Sequence, residues 1–372
     1  MIIHRLVRNL SNIPGWRTNR KIIVFESDDW GSIRMPTRKV FNMLVNKGLD
    51  LAGGDSLRYN KYDTLAKADD LAALFAVLRQ FKDRNVRHPA FTAIALVANP
   101  DFARIAAADY QAYYYEPFTT TLSRYYGNQS AYKLWLTGIK EKLFVPQFHG
   151  REHLNVAVWI DALQKKDKMT REAFEYDFWG FNNQHKYNIS YQAAFDLADP
   201  SELADQAEII KSGLRLFTEL FGYNATYFVP PNGPFNNSLE KTAAENGIEY
   251  MSAAKIQQEA LGQGKTKKVF HYLGQQNNHG QVYITRNAFF EPSQEGKDWV
   301  DSCLADIANA FRWHKPAVIS THRVNYIGAL DEGNRTRGLQ QLKQLLAGII
   351  KKWPQVEFLT SSELGNLISI GE

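Results

Sequence analysis

The sequence contains a single cysteine, Cys303, so it can form neither an internal disulfide nor a zinc knuckle built from several thiolates. No apolar run approaches the ~18 residues of a membrane-spanning helix. Lys and Arg occur in short pairs, and a formal net charge of +5 over 372 residues is too slight to point to nucleic acid. Also missing are Gly-x-x-x-x-Gly-Lys-Ser/Thr, Gly-x-Gly-x-x-Gly, His-Glu-x-x-His and Gly-x-Ser-x-Gly. Without them there is no case for a phosphate loop, a dinucleotide site, a helical zinc-protease site or a nucleophile elbow. Charge interrupts Met1-Ile-Ile-His-Arg-Leu-Val-Arg-Asn-Leu before an apolar signal core forms, and a cytoplasmic location is expected.

What is present is globular in composition: 44 % of residues are hydrophobic and 22 % charged, which suffices for a sizeable core. Strands are predicted at 21–27, 91–97, 142–148, 225–229, 248–251, 281–285, 317–321 and 356–359. Unbroken apolar runs such as Ile22-Ile-Val-Phe suit strands covered on both faces. Apolar residues at helical spacing, including Leu71, Leu74 and Leu78, then Leu339, Leu342 and Leu346, predict helices within 63–81 and over 336–352. Asn237 with Glu240, and Thr360 with Glu363, read as capping boxes. This alternation calls for a parallel α/β architecture. Unusual polar residues stand at several strand tips, at 28–29, 149–153, 229–233 and 322. That distribution favours an incomplete or distorted (β/α) barrel over an open sheet with one switch point. A single domain over 1–372 is expected, with long insertions around 155–215 and 255–280, where the chain is polar or aromatic and poorly periodic.

The constellation with chemical content is Asp28, Asp29, His149, His153 and His322. On a helical turn, histidines four apart would point their rings the same way. Two imidazoles and a carboxylate, with open positions for water, form an established catalytic ligand set. The plainer alternative is two unrelated histidines and an acidic turn pair. Side chains of adjacent aspartates at a strand end diverge, so one could bind a divalent metal while its neighbour handles a proton. His322, after Val318-Ile-Ser-Thr, would be the opposing proton donor. Trp30 adjoins the acidic pair and could stack on a sugar ring. Trp179 and Tyr113–Tyr115 read as core.

In this order the segments resemble the polysaccharide deacetylase superfamily, the NodB-like carbohydrate esterases. Glu26-Ser-Asp28-Asp29 is similar to the family's Thr-Phe-Asp-Asp, which implies Asp28 as catalytic base and Asp29 as metal ligand. His149-Gly-Arg-Glu-His153 resembles the His-Ser/Thr-x-x-His that completes the metal triad, and Ile319-Ser-Thr-His322 the late strand carrying the general acid. Val229-Pro230-Pro231-Asn232-Gly233 stands where the family has Arg-Pro-Pro-Tyr-Gly. There the backbone N–H of Asn232 is implied as oxyanion donor, and Val229 replaces the arginine that orients the catalytic aspartate. Arg323, or failing that Arg34, is expected to take over that task. Arg34 and Arg151 join Trp30 as expected substrate-binding residues.

The resemblance implies an incomplete β/α barrel that uses a divalent metal to remove an N- or O-linked acetyl group from a carbohydrate or acylated amino-sugar. Zinc is the first expectation, and iron, cobalt, nickel or manganese also suit the ligands. Two readings stay open beside it. One is a related glycosidase, with Asp28 and Glu152 as its carboxylate pair. The other is a noncatalytic carbohydrate-binding barrel that keeps the pocket after losing the arginine replaced by Val229.

Overall fold

In the computed structural model, which describes Asn9 and residues 11–52 and 56–371, the architecture is organised around β1, Lys21–Trp30. The rest of the N-terminal stretch discussed above lies outside the described residues. After Lys21 this strand is buried throughout, as its apolar run demands. One edge pairs in parallel with β8, Ala317–His322. The other edge is shared: Lys21–Val24 pair with β9, Val356–Leu359, and residues from Phe25 onward pair with β2, Phe91–Leu96. Beyond β2 come β3 (Phe144–Gly150), β4 (Tyr227–Phe228), β5 (Tyr250–Ser252) and β6 (Val282–Ile284), and beyond β8 comes β7 (Ala288–Phe289).

The two ends of this sheet are consecutive in the chain. Ile284 ends β6 and Ala288 begins β7, and the intervening backbone can span at most ~14 Å. The segment therefore leaves β5 and joins β8 almost at once, stitching the edges of the curled sheet together. The fold is a distorted (β/α) barrel of parallel strands, as the strand-and-helix pattern predicts. Ile22, Val24, Ile94, Val282 and Val318 form the inward cluster, joined by Leu364 and Ile368 of the C-terminal helix Ser361–Ser369. Ile23, Phe25, Phe91 and Phe144 face the other way, into the layer of helices. That inward and outward alternation is the pleat of the strands.

Proline is a poor member of a central ladder, and Pro146 sits in β3. It is tolerated because β4 meets β3 only at Phe148–Phe228. Lower down, the Gln147 amide oxygen accepts the N–H groups of Thr226 and Tyr227 at 3.0 and 2.8 Å.

Several sequence boundaries shift. The first predicted helix is Ala68–Leu78 and the late one begins at Glu332. Thr360 and Glu363 form their capping box, whereas the helix Leu239–Glu245 has no side-chain cap because Glu240 turns to the Tyr283 hydroxyl. The expected insertion 155–215 divides. Helices Val156–Gln164 and Lys168–Phe174 pack with parts of 35–51 and 102–114 in a separate cluster, but Leu203–Phe221 belongs to the barrel's helix layer. Its buried face carries Ser212 and Gly213, and a Cβ on Gly213 would lie 2.8 Å from the Phe148 ring. Close approach to β3 requires small residues where a hydrophobic pattern looks for large ones. Residues 256–270 form an antiparallel hairpin. No helix among the described residues is long and apolar enough to cross a membrane.

Candidate metal centre and active site

At its C-terminal end β1 stops being regular. Ser27 pairs with Ala93 and Trp30 with Ala95, so three steps along β1 meet two along β2, and the surplus residue makes a bulge. Asp29 adopts φ 74°, a left-handed value that few residues other than glycine, Asn and Asp take. In a regular strand Asp28 and Asp29 would face opposite sides of the sheet. Here both line one cavity, so the expected divergence is corrected to convergence on different partners.

β3 carries a matching irregularity. Phe148 pairs with Ala95 and Gly150 with Leu96, which leaves His149 as the additional residue. His153 comes from the turn beyond, before the helix Val156–Gln164. The two histidines thus do not share a helical turn, as their spacing suggested; a strand end and a turn bring their ring centroids to 5.2 Å. Both Nε2 atoms face Asp29 Oδ1, at 3.5 Å from His149 and 3.3 Å from His153. One ligand atom from each of the three buried residues lies within 4.8 Å of the others. His149 Nδ1 donates to the Val229 carbonyl at 2.6 Å, which leaves a bare lone pair on Nε2. Burial lowers the pKa of His153, although Asp29 opposes the shift, and the neutral ring is the ligating form. Buried acceptors converging on a carboxylate oxygen are a donor set that fits a divalent cation.

Asp28 has a partner that the sequence reading did not name. Arg286, on the segment stitching β6 to β7, places Nη1 and Nη2 at 2.6 Å from Asp28 Oδ2 and Oδ1, and Nε at 2.6 Å from Glu26 Oε2. Burial pushes the Asp28 carboxyl up, but Arg286, joined by His322 and His149, outweighs it and holds the pKa below its ordinary value. Neither Arg323 nor Arg34 fills this place. Arg323 is fully buried, with Nε and Nη2 at 3.0 and 2.8 Å from Asp63 and Nη1 at 2.7 Å from the Ser32 carbonyl. It opens a short turn at Arg323–Asn325, which sends it away from its neighbour His322. Arg34 lines the cavity but bonds to Gln192.

His322 stands in register with Asp28 across the β1–β8 pairing, its Nε2 3.7 Å from Asp28 Oδ2. Its Nδ1 lies 2.6 Å from Glu291 Oε1. Glu291 in turn accepts from Arg58 Nη1 at 2.6 Å and Asn325 Nδ2 at 2.9 Å. Burial alone would lower the His322 pKa; Glu291, Asp28 and Asp29 reverse this and push it up to about 9. Tyr59 meets the His322 ring edge-on at 5.6 Å. Arg286, Glu291 and Tyr59 escaped the sequence reading. Arg286 directly follows the strand predicted at 281–285, so the strand-tip rule that picked out Asp28 and His322 applies to it. Glu291 and Tyr59 carry no comparable signal.

Asp28, Asp29, His149, His153, Arg286 and His322 share a cavity of about 730 Å³ with Arg34, Tyr59 and Asn232. Asn232 has φ 57° in the Pro-Pro-Asn-Gly turn. Trp30 and Arg151, expected as substrate contacts, do not line it. Trp30 is 1 % exposed, donates Nε1–H to Ser27 Oγ at 2.9 Å and packs edge-on to Phe144 at 4.7 Å, because the bulge turns it into the helix layer. Arg151 grips both Glu152 oxygens at 2.7 and 2.8 Å and reaches Ser212 at 3.1 Å. That pairing also withdraws Glu152 as a second catalytic carboxylate. Trp179, read as core, is buried and lies nearly parallel to the His153 ring at 6.4 Å.

No protein-family model matches the chain, and no curated protein matches it by sequence. Among solved structures, a protein titled a probable polysaccharide deacetylase from Pseudomonas aeruginosa PAO1 is similar over 95 % of this chain and 91 % of its own, at 10 % identity and a TM-score of 0.47. Puue allantoinase is similar over 96 % and 91 %, at 12 % identity and a TM-score of 0.46. Agd3, titled a carbohydrate deacetylase, is similar over 96 % and 54 %, at 9 % identity and a TM-score of 0.44.

Proposed function

We propose that the protein is a metal-dependent hydrolase that removes an acetyl group from a carbohydrate. One observation carries this reading. The Asp29–His149–His153 cluster opens on the same cavity as Asp28, gripped by Arg286, and His322, backed by Glu291. Asp29, His149 and His153 would hold the cation, zinc before iron, cobalt, nickel or manganese, and the cation would supply Lewis acidity and a more acidic water. Asp28, kept ionised by Arg286, accepts the proton of the attacking water. Asn232 offers its backbone N–H, in a left-handed turn at the cavity wall, to the developing oxyanion. His322, protonated at neutral pH, gives its Nε2 proton to the leaving nitrogen or oxygen, and Glu291 steadies the imidazolium through Nδ1. The products are acetate and a free amine or hydroxyl.

The competing readings lose their specific supports. Glu152 is bound to Arg151 and does not line the cavity. The noncatalytic reading rested on a missing guanidinium, and Arg286 supplies one. The test is metal analysis of the purified protein, together with acetate release from a panel of N- and O-acetylated sugars. Stoichiometric metal and acetate release abolished by Asp28→Asn are expected. Protein that takes up no metal when a divalent cation is supplied, and that releases no acetate, would overturn the proposal.

A further inference from the structure

The buried and half-buried arginines around this site are matched by carboxylates, with one exception. Arg286 holds Asp28, Arg323 holds Asp63, Arg151 holds Glu152 and Arg58 holds Glu291, each at 3.0 Å or less. Arg34 is only 4 % exposed, yet no carboxylate among the described residues pairs with it. Its side chain makes one hydrogen bond, from Nη2 to the amide oxygen of Gln192. Its Nε is buried without a partner, and its guanidinium lies 4.7 Å over the Tyr59 ring. A guanidinium does not shed its proton, and holding it out of water without a counter-charge is unfavourable.

The acids that share the cavity with Arg34 are otherwise engaged. Asp28 is held by Arg286, Asp29 faces the two histidines, Glu240 is bonded to Tyr283 and Asn277, and Asp306 has a partner of its own. Lys255 repeats the pattern on the same cavity: its ammonium bonds only to the neutral oxygens of Ser11 and Asn12, at 3.1 and 3.0 Å. Burial lowers its pKa to about 8. The cavity therefore offers positive charge that no carboxylate among the described residues pairs with.

We propose that Arg34 is the recognition residue for a carboxylate on the substrate, so that the acetylated carbohydrate taken by this site is an acidic one, of the uronic-acid type. The proposal rests on the deacetylase reading and narrows its substrate class. Nη1, which has no hydrogen-bond partner, and the second N–H of Nη2 leave the end of the planar fork available. That edge suits two carboxylate oxygens side by side. A single guanidinium beside a neutral amide suits one negative charge better than the two of a phosphate monoester.

The experiment compares two methyl glycosides that differ at one position, an N-acetylated amino-uronic acid and the same sugar with a C6 alcohol. Apparent affinity for the full, metal-loaded chain is read by calorimetry, or as KM where turnover occurs, and acetate is measured in the same samples. A charge-assisted hydrogen-bonded pair predicts a preference of ~10-fold or more for the acidic sugar. Arg34→Gln should close the gap, and Arg34→Lys should keep part of it. Equal affinities in the wild type, including no binding of either sugar, overturn the proposal. So does a preference that survives Arg34→Gln, or a 6-phosphate counterpart that binds better than the carboxylate. If Arg34→Gln does not fold, the wild-type comparison decides alone. Tight binding of the acidic sugar without acetate release would sink the deacetylase reading and leave the anion site standing. Equal kcat/KM for acetate release from both sugars would do the reverse.

Discussion

Arg286 grips both carboxylate oxygens of Asp28 at 2.6 Å and, through Nε, reaches Glu26 at the same distance. One cation is thus shared between two buried acids. It arises from the three-residue stitch that closes the barrel, far in sequence from Val229, where the resemblance places an arginine. Charge and position at the cavity wall are what the base requires, and another strand tip provides them.

Replacing Arg286 with Ala should therefore cost both activity and stability. Misorienting a catalytic group lowers rates by about 10²-fold, and stranding a buried charge destabilises by about 3–5 kcal/mol. Arg286→Lys should recover part of the stability but little kcat, since an ammonium cannot hold both oxygens of Asp28. Steady-state kinetics and urea unfolding read the two effects separately. A variant as stable as the wild type would show that the guanidinium does not compensate these acids.

Arg323 gives the contrasting case. It and Asp63 are both completely buried, and neither lines the cavity. Arg323→Ala should lose about 3–5 kcal/mol of stability while the metal content of the folded fraction stays as in the wild type. Denaturant titration and metal analysis check this. A stable variant lacking metal would place Arg323 at the site after all.

Asp29→Ala and His153→Ala should each lower metal occupancy sharply, while Asp28→Asn should keep the metal and lose turnover, because Asp28 is paired with Arg286 and not with the histidines. Metal analysis beside circular dichroism checks the first pair, and acetate release the third variant. Loss of metal in Asp28→Asn would show that the two aspartates share one role.

The constellation of Asp28, Asp29, His149, His153 and His322 was legible because each residue ends an apolar strand or follows one closely, and parallel strands carry their tips to one face. What brings them together was not. The bulge at Asp28–Asp29 and the surplus residue at His149 are register features set by strand neighbours, and a single strand's pattern does not encode its neighbour's register. Trp30 illustrates the consequence: adjacency to the acids placed it at the site, and the bulge turned it into the core. Arg286 follows the strand predicted at 281–285, but the two-residue β7 beyond it leaves no pattern, so nothing marks the segment as the one that stitches the sheet's edges. Arg323 was misplaced because sequence shows that a guanidinium is present but not that Asp63, 260 positions away, already holds it.

The pH profile offers the sharpest check on how His322 is tuned. Asp28 must be ionised to accept a proton, and its pKa lies below the ordinary 3.8, so the acid fall of a metal-loaded enzyme is set by protonation of the ligating histidines before that of Asp28. His322 must be protonated to donate, and its pKa of about 9 places the alkaline fall of kcat/KM there. Glu291 is the foremost of the groups that raise it against burial. Glu291→Gln should therefore move the alkaline limb down toward the ordinary 6.5 and leave the acid limb in place. Stability should follow the same linkage. A histidine whose folded pKa is raised contributes stability that is fully present below its unfolded pKa and lost as pH rises through the folded one. The share of the wild type's stability advantage over Glu291→Gln that comes from His322 should thus be lost between about pH 6.5 and pH 9. A merely structural glutamate would lower activity equally at every pH, and an alkaline limb that stays put in Glu291→Gln would remove Glu291 from the proton-donor assembly.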